Sequence, residues 1–169
     1  MNFIAIGRLV TVVAMCLLVH CAWSAEDAVS SGIEAHYFNT GDGNVKKVGN
    51  PRFNFWFDIP ASWRAFDRSA NGDGYFLDVG IAGVDVRTYG SWMDFDLDQS
   101  QNKTPFKFAD GKLGWRLTKE TSVTYVRPEG DHFLYLYVRA PAAWVKSNEE
   151  AIINVARSLR PGSMSATSS

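Results

Sequence analysis

The chain is short of cysteine, of histidine and of clustered charge. It has two cysteines in 169 residues, Cys16 and Cys21, and both lie in the opening segment MNFIAIGRLVTVVAMCLLVHCAWS. That segment carries one cation, Arg8, then an apolar run from Leu9 to Val19, then small residues at Ala22 and Ser24. The order is that of a secretory signal peptide, and cleavage is expected before Ala25. The apolar run falls short of the ~20 residues that a membrane span needs. Residues 1–24 are therefore expected to be removed, leaving a soluble, thiol-free domain. For that domain a disulfide framework, thiol catalysis and thiolate metal sites are excluded. The competing reading makes Cys21 a lipidated N-terminus. His20 stands where a lipobox wants a small residue, so membrane anchoring through Cys21 is not expected.

Three histidines occur, and His20 would leave with the leader. His36 and His132 sit in no nucleophile or metal motif. No Gly-x-Ser-x-Gly or His-Glu-x-x-His is present, and no pair of carboxylates is marked for glycoside cleavage. Each histidine reads as an ordinary strand-end residue. No enzyme activity and no cofactor are expected. Charge is nearly balanced, with 17 basic against 18 acidic residues and no basic cluster, so nucleic acid is not an expected partner.

What the chain has is aromatic side chains: 11 Phe, 6 Tyr and 6 Trp, most of them in alternating patterns that suit antiparallel strands. Phe53, Phe55, Phe57 and Ile59 share one face of a strand, with Asn54, Trp56 and Asp58 on the other, and Pro60 ends it. Asn71-Gly72-Asp73-Gly74 is a hairpin turn joining a segment near Trp63–Phe66 to a strand at Tyr75–Val79. Val84–Tyr89 alternates again. Residues 91–101 alternate Asp94, Asp96 and Asp98 with Met93, Phe95 and Leu97, as an edge strand would. Ser91 with Asp94 also opens a helix, and the length of the segment favours that reading. Two hairpins follow, turning at Asp110-Gly111 and at Pro128–Asp131. Phe133–Val138 is apolar on both faces and belongs in the middle of a sheet. A closing helix is marked by a capping box, Ser147 to Glu150, and by an apolar stripe of Ile152, Val155, Ala156 and Leu159; Pro161 and Gly162 stop it.

These elements predict an α+β fold: an antiparallel sheet with a C-terminal amphipathic helix packed on one face. Residues 25–35 read as a flexible N-terminal segment, 36–161 as a single domain, and 162–169 as a disordered tail. At this size, burial of roughly 68–70% of the unfolded surface supplies a core without staples.

Two stretches resemble the PsbP-like fold, a group that includes DcrB-type bacterial envelope lipoproteins. One is Phe57-Asp58-Ile59-Pro60-Ala61-Ser62-Trp63, a strand running into a Pro-x-x-Trp corner. The other is Ala156-Arg157-Ser158-Leu159-Arg160-Pro161, the end of the closing helix. The resemblance implies a binding, assembly or chaperone-type module with no shared catalytic residue.

Two sets of residues are candidates for a site. Asp67, Ser69, Asn71, Asp73 and Asp78 stand at the oxygen-ligand positions of a calcium loop, with Gly72 at its sixth place. The twelfth position holds Asp78 instead of a longer Glu, the eighth holds Gly74, and no helix pair flanks the loop. A plain hairpin tip is the favoured reading, and no metal is expected. Trp56, Tyr89 and Trp92 belong to a surplus of aromatics beyond what one modest core hides, and they are candidate interface residues. The expected function is a non-enzymatic protein-binding module of the bacterial envelope, periplasmic, acting as an accessory or assembly factor or as an immunity protein. The alternative is a periplasmic module binding a small ligand or calcium, in a cleft between helix and sheet or in the 67–78 loop.

Overall fold

Alternation of large apolar residues with polar ones builds nearly all of this protein. In the computed structural model, residues 32–93 and 102–162 are described. The expected signal peptide, the Asp94–Asp98 alternation and all but the first residue of the expected tail lie outside the described residues.

The described residues form two antiparallel sheets. The larger has eight strands in the order β1 (Ile33–Glu34), β5 (Arg64–Asp67), β6 (Gly74–Asp78), β7 (Asp85–Ser91), β11 (His132–Arg139), β10 (Ser122–Glu129), β9 (Leu113–Lys119) and β8 (Lys103–Lys107). The smaller has four, in the order β12 (Arg160–Pro161), β4 (Phe55–Pro60), β3 (Val45–Asn50) and β2 (Tyr37–Asn39). Two helices, α1 (Ala142–Ser147) and α2 (Glu149–Ser158), separate β11 from β12.

Because side chains alternate along a strand, each sheet has two chemically distinct faces. Phe55, Phe57 and Ile59 of β4 point to one side and are fully buried. On the larger sheet the matching side carries Leu77, Val86, Val123, Tyr125, Leu134, Leu136 and Val138. Ile152, Val155, Ala156 and Leu159 come from α2 and its C-cap, and all of these residues join one core. The smaller sheet and α2 thus form a single layer over one face of the larger sheet. Each such fully buried side chain contributes about 1.5–3 kcal/mol. The central position of β11, with Leu134, Leu136 and Val138 on its core face, is the one its apolar sequence predicts.

The same period places a charge in this core. Val123, Tyr125 and Arg127 share a face of β10, so Arg127 enters the apolar layer opposite Leu134. Its side chain is 2% exposed. Asp110 takes both of its terminal nitrogens at 2.8 and 2.6 Å, Glu129 takes Nε at 2.5 Å, and the Phe108 ring lies 5.0 Å beneath the guanidinium. The guanidinium hydrogen bonds hold the Asp110 carboxyl at about 2, against an ordinary value of 3.8.

The structure corrects the sequence reading at three places. The segment expected to be loose supplies Ile33 and Glu34 to β1, where Glu34 lies opposite Phe66 and its carboxylate holds Arg64 at 2.6 Å. The capping box at Ser147 does not form. Helix starts a turn and a half earlier, after Pro141, so Ser147 closes α1 and its hydroxyl donates to the Trp144 carbonyl at 3.0 Å. Asn148, at φ −113°, separates the two helices without a side-chain cap on α2. Finally, Arg160 and Pro161 do more than end the helix. They pair with Trp56 and Phe55, and the Gly162 amide donates to the Asn54 carbonyl at 2.6 Å.

Candidate functional site

The face of the larger sheet turned away from the second layer is unusually aromatic. One row across it runs Gly74, Tyr89, Tyr135, Val126, Trp115. The next runs Phe66, Phe76, Arg87, Tyr137, Thr124, Leu117. Leu117, Val126 and Tyr135 are buried and make a second, smaller apolar cluster flanked by Tyr89, Trp115 and Phe133. The Tyr89 and Tyr135 rings stack at 4.9 Å, 15° from parallel. Such pairs add about 0.5–1.5 kcal/mol beyond area burial. Gly74 makes room for Tyr89, because a Cβ there would lie 2.0 Å from the Thr88 carbonyl oxygen and 2.6 Å from the Tyr89 Cβ.

A groove of about 380 Å³ opens on this face over β6, β7 and β11, lined by Phe76, Asp85, Arg87, Tyr89, Tyr137 and Arg139 among others. Arg87 binds Asp85 through two hydrogen bonds of 2.7 Å, and its guanidinium sits 4.4 Å from the Phe76 ring centre. The Asp85 hydrogen bond raises the Arg87 pKa, so this cation is permanent. Burial raises the Tyr89 pKa, which keeps its hydroxyl protonated and a donor. Arg139 reaches Asp85 only at 3.8 Å.

Of the three candidate interface aromatics, the structure brings only Tyr89 into this groove. Trp92 follows the end of β7, 57% exposed, with its ring 4.3 Å from Phe53 and Arg52 at 5.6 Å. Trp56 is on the outer side of the smaller sheet. It covers Gly49, where a Cβ would lie 2.6 Å from the indole, and meets the edge of Phe38 at 5.0 Å. The three are separate features and not one patch. Tyr137 belongs to the same surplus of aromatics, whereas Phe76, Arg87 and Arg139 are not marked by the sequence reading. Their signal is parity: Arg87 shares a face of β7 with Tyr89, Tyr135, Tyr137 and Arg139 share a face of β11, and pairing makes these one face of the sheet.

The candidate calcium ligands do not close around a common point. Asp67 Oδ1 accepts from the Ser69 amide and hydroxyl at 3.0 and 2.8 Å, and Ser69 Oγ accepts from the Asp73 amide at 3.1 Å. Asp73 is 3.1 Å from Arg52 Nε. Asn71 offers its carbonyl oxygen to Arg52. Asp78 lies at the far end of β6 opposite Arg64, where its carboxylate accepts from the Gly80 amide at 2.8 Å. These contacts are those of a hairpin tip. Among the described residues no group of three His, Cys, Asp or Glu is placed to hold a metal ion.

A second cavity, about 550 Å³, lies between α2 and β4, with Asn44, Asp58, Glu150, Asn154 and Ser158 in its walls. This is the position foreseen for a cleft between helix and sheet. Among the described residues no helix is long and apolar enough to cross a membrane.

No family model matches the chain, and no curated protein matches it. Solved structures do. The chain is similar to the solution structure of cyanobacterial PsbP (CyanoP) from Synechocystis sp. PCC 6803, at 14% identity and a TM-score of 0.50, covering 73% of this chain and 96% of that one. A crystal structure of a protein from Bacteroides thetaiotaomicron matches at 11% identity and a TM-score of 0.46, over 68% of this chain and 47% of that one. The fold is PsbP-like, as the strand–corner and helix-end motifs imply. The likeness does not single out the DcrB-type lipoproteins within that group.

Proposed function

We propose that this protein is exported to the bacterial periplasm and works there without catalysis, binding another protein through the outer face of its larger sheet. An accessory or assembly role and an immunity role both fit. The observation that carries the reading is the asymmetry of that sheet. The helix and the smaller sheet cover one face, while the other carries stacked tyrosines, Phe76 and a groove walled by arginines. Aromatic rings with a polar tip and arginines are the side chains that dominate binding energy at interfaces.

The test is retention of a partner from periplasmic extract by the mature chain, with Tyr137→Ala in the groove and Trp56→Ala on the other sheet as paired variants. Loss with Tyr137→Ala and retention with Trp56→Ala is expected. Retention lost only with Trp56→Ala would move the interface to the smaller sheet, and no retained partner at all would end the proposal. Sequencing the mature N-terminus tests export, with Ala25 expected at the start. A lipidated Cys21 would instead anchor the domain.

The second reading, a small-ligand module, draws on the 550 Å³ cleft beside α2. Its calcium version is tested by calorimetry at millimolar calcium, where no heat and no change in melting temperature is expected.

A further inference from the structure

We propose that the groove over β6, β7 and β11 takes a carboxylate presented by an acidic protein segment, beside an aromatic or large aliphatic side chain of the same segment. This rests on the protein-binding reading and adds the chemistry of the partner. The groove holds more donors than it uses. Asp85 accepts both hydrogen bonds of Arg87, so these two charges satisfy each other. The groove's other carboxylate, Asp73, is neutralised by Arg52 at 3.1 Å, although its buried Oδ1 makes no hydrogen bond. Arg139 is the surplus cation. It is 61% exposed and at 3.8 Å from Asp85 it is an ion-pair neighbour, beyond hydrogen-bond distance.

Two neutral donors line the same groove. Tyr137 stands two residues from Arg139 on the same face of β11, and Tyr89 lines the groove two rows further along β7. The Arg139 guanidinium with the Tyr137 hydroxyl on the same strand face suits a carboxylate, whose two oxygens offer about four acceptor sites. The wall opposite is the Phe76 ring, flanked by Arg87 at 4.4 Å and Arg68 at 5.2 Å. That wall suits an apolar side chain. At about 380 Å³ the volume lies at the small end of ligand pockets. It matches a residue or two of a peptide and not an extended substrate. Charge complementarity therefore selects an acidic segment over a basic or neutral one.

The probe is a labelled peptide, Asp-Phe-Asp-Leu-Asp, read by fluorescence anisotropy against its neutral counterpart Asn-Phe-Asn-Leu-Asn. The acidic peptide should bind about tenfold tighter, the worth of one charge-assisted hydrogen bond. Arg139→Gln should remove that advantage while leaving the melting temperature unchanged, since the residue is exposed. Equal binding of the two peptides, or an advantage that survives Arg139→Gln, overturns the carboxylate assignment. If Tyr137→Ala then weakens both peptides alike, protein binding stands and only this inference falls. Competition by free 3-phenylpropanoate at the concentrations where the peptide binds would overturn the choice of a protein segment. No binding by either peptide overturns the inference, and with no partner retained from extract the functional reading falls as well.

Discussion

Arg127→Met removes the one cation that the core face of β10 carries and leaves two carboxylates behind. Methionine keeps an unbranched apolar stem but loses the guanidinium that lies 5.0 Å from the Phe108 ring, so the loss is mainly electrostatic. Truncating one partner of a buried, hydrogen-bonded ion pair costs about 3–5 kcal/mol, because the survivor is left uncompensated. Here the survivors differ. The Asp110 side chain is 44% exposed and can rehydrate, whereas Glu129 is only 16% exposed and cannot turn out as easily. The expected loss is reduced accordingly, to about 2–4 kcal/mol. With a urea m-value of about 1.5 kcal/mol/M, a loss of about 3 kcal/mol lowers the unfolding midpoint by about 2 M. The pH dependence checks the assignment. Asp110 has a depressed pKa in the folded state, so its stabilising contribution is fully present above its ordinary value of 3.8. It is lost as pH falls toward about 2. The gap between wild type and Arg127→Met should narrow over that window. A variant as stable as wild type at neutral pH would refute the reasoning and show that the charge triad only breaks even.

Thr88 has its hydroxyl buried on the core face of β7 without a partner, so Thr88→Val should stabilise by about 1 kcal/mol in the same urea assay; a loss of that size would mean the hydroxyl is bonded. Leu159→Ala should cost about 2–5 kcal/mol from a fully buried site. Ser147→Ala should leave stability within about 0.5 kcal/mol, because Ser147 caps nothing on α2. A cost near 1 kcal/mol for Ser147→Ala would restore the capping box. Gly90→Ala puts a Cβ 2.2 Å from the Phe53 ring, and a loss of about 1–3 kcal/mol is expected by thermal unfolding unless the ring shifts.

Period-two alternation made most of the strands legible. Phe53–Ile59 and Phe133–Val138 declare their buried faces because a strand has only two sides. The turn residues at Asn71–Gly74 and Asp110-Gly111 declare the hairpins. What stayed hidden is whatever depends on partners distant in the chain. Two-residue strands such as Ile33–Glu34 and Arg160–Pro161 carry too little pattern to be seen without β5 and β4 beside them. Ser147 and Glu150 have the spacing of a capping box, yet tertiary placement of Pro141 and Trp144 starts the helix earlier and spends the serine on its end. The candidate site was legible only in its tyrosines, with Tyr89 the one candidate interface residue that lines it. Its neighbours come from β6 and β11, and the register that sets Phe76, Arg87 and Tyr137 in one row is a property of pairing.

The two-residue strand β12 sets when the smaller sheet can close. Pro161 lies against Phe55, and Asn54 and Gly162 join the chain across a separation of 108 residues. Ser158 likewise holds the Asp58 backbone from a separation of 100 residues. A polypeptide emerging residue by residue from a ribosome has β4 in hand long before these contacts can form. The edge of β4 stays open, and the apolar stripe of α2 unplaced, until these residues have followed it. The layer over the larger sheet is thus locked by the pairing of β12 with β4, after both helices are in place.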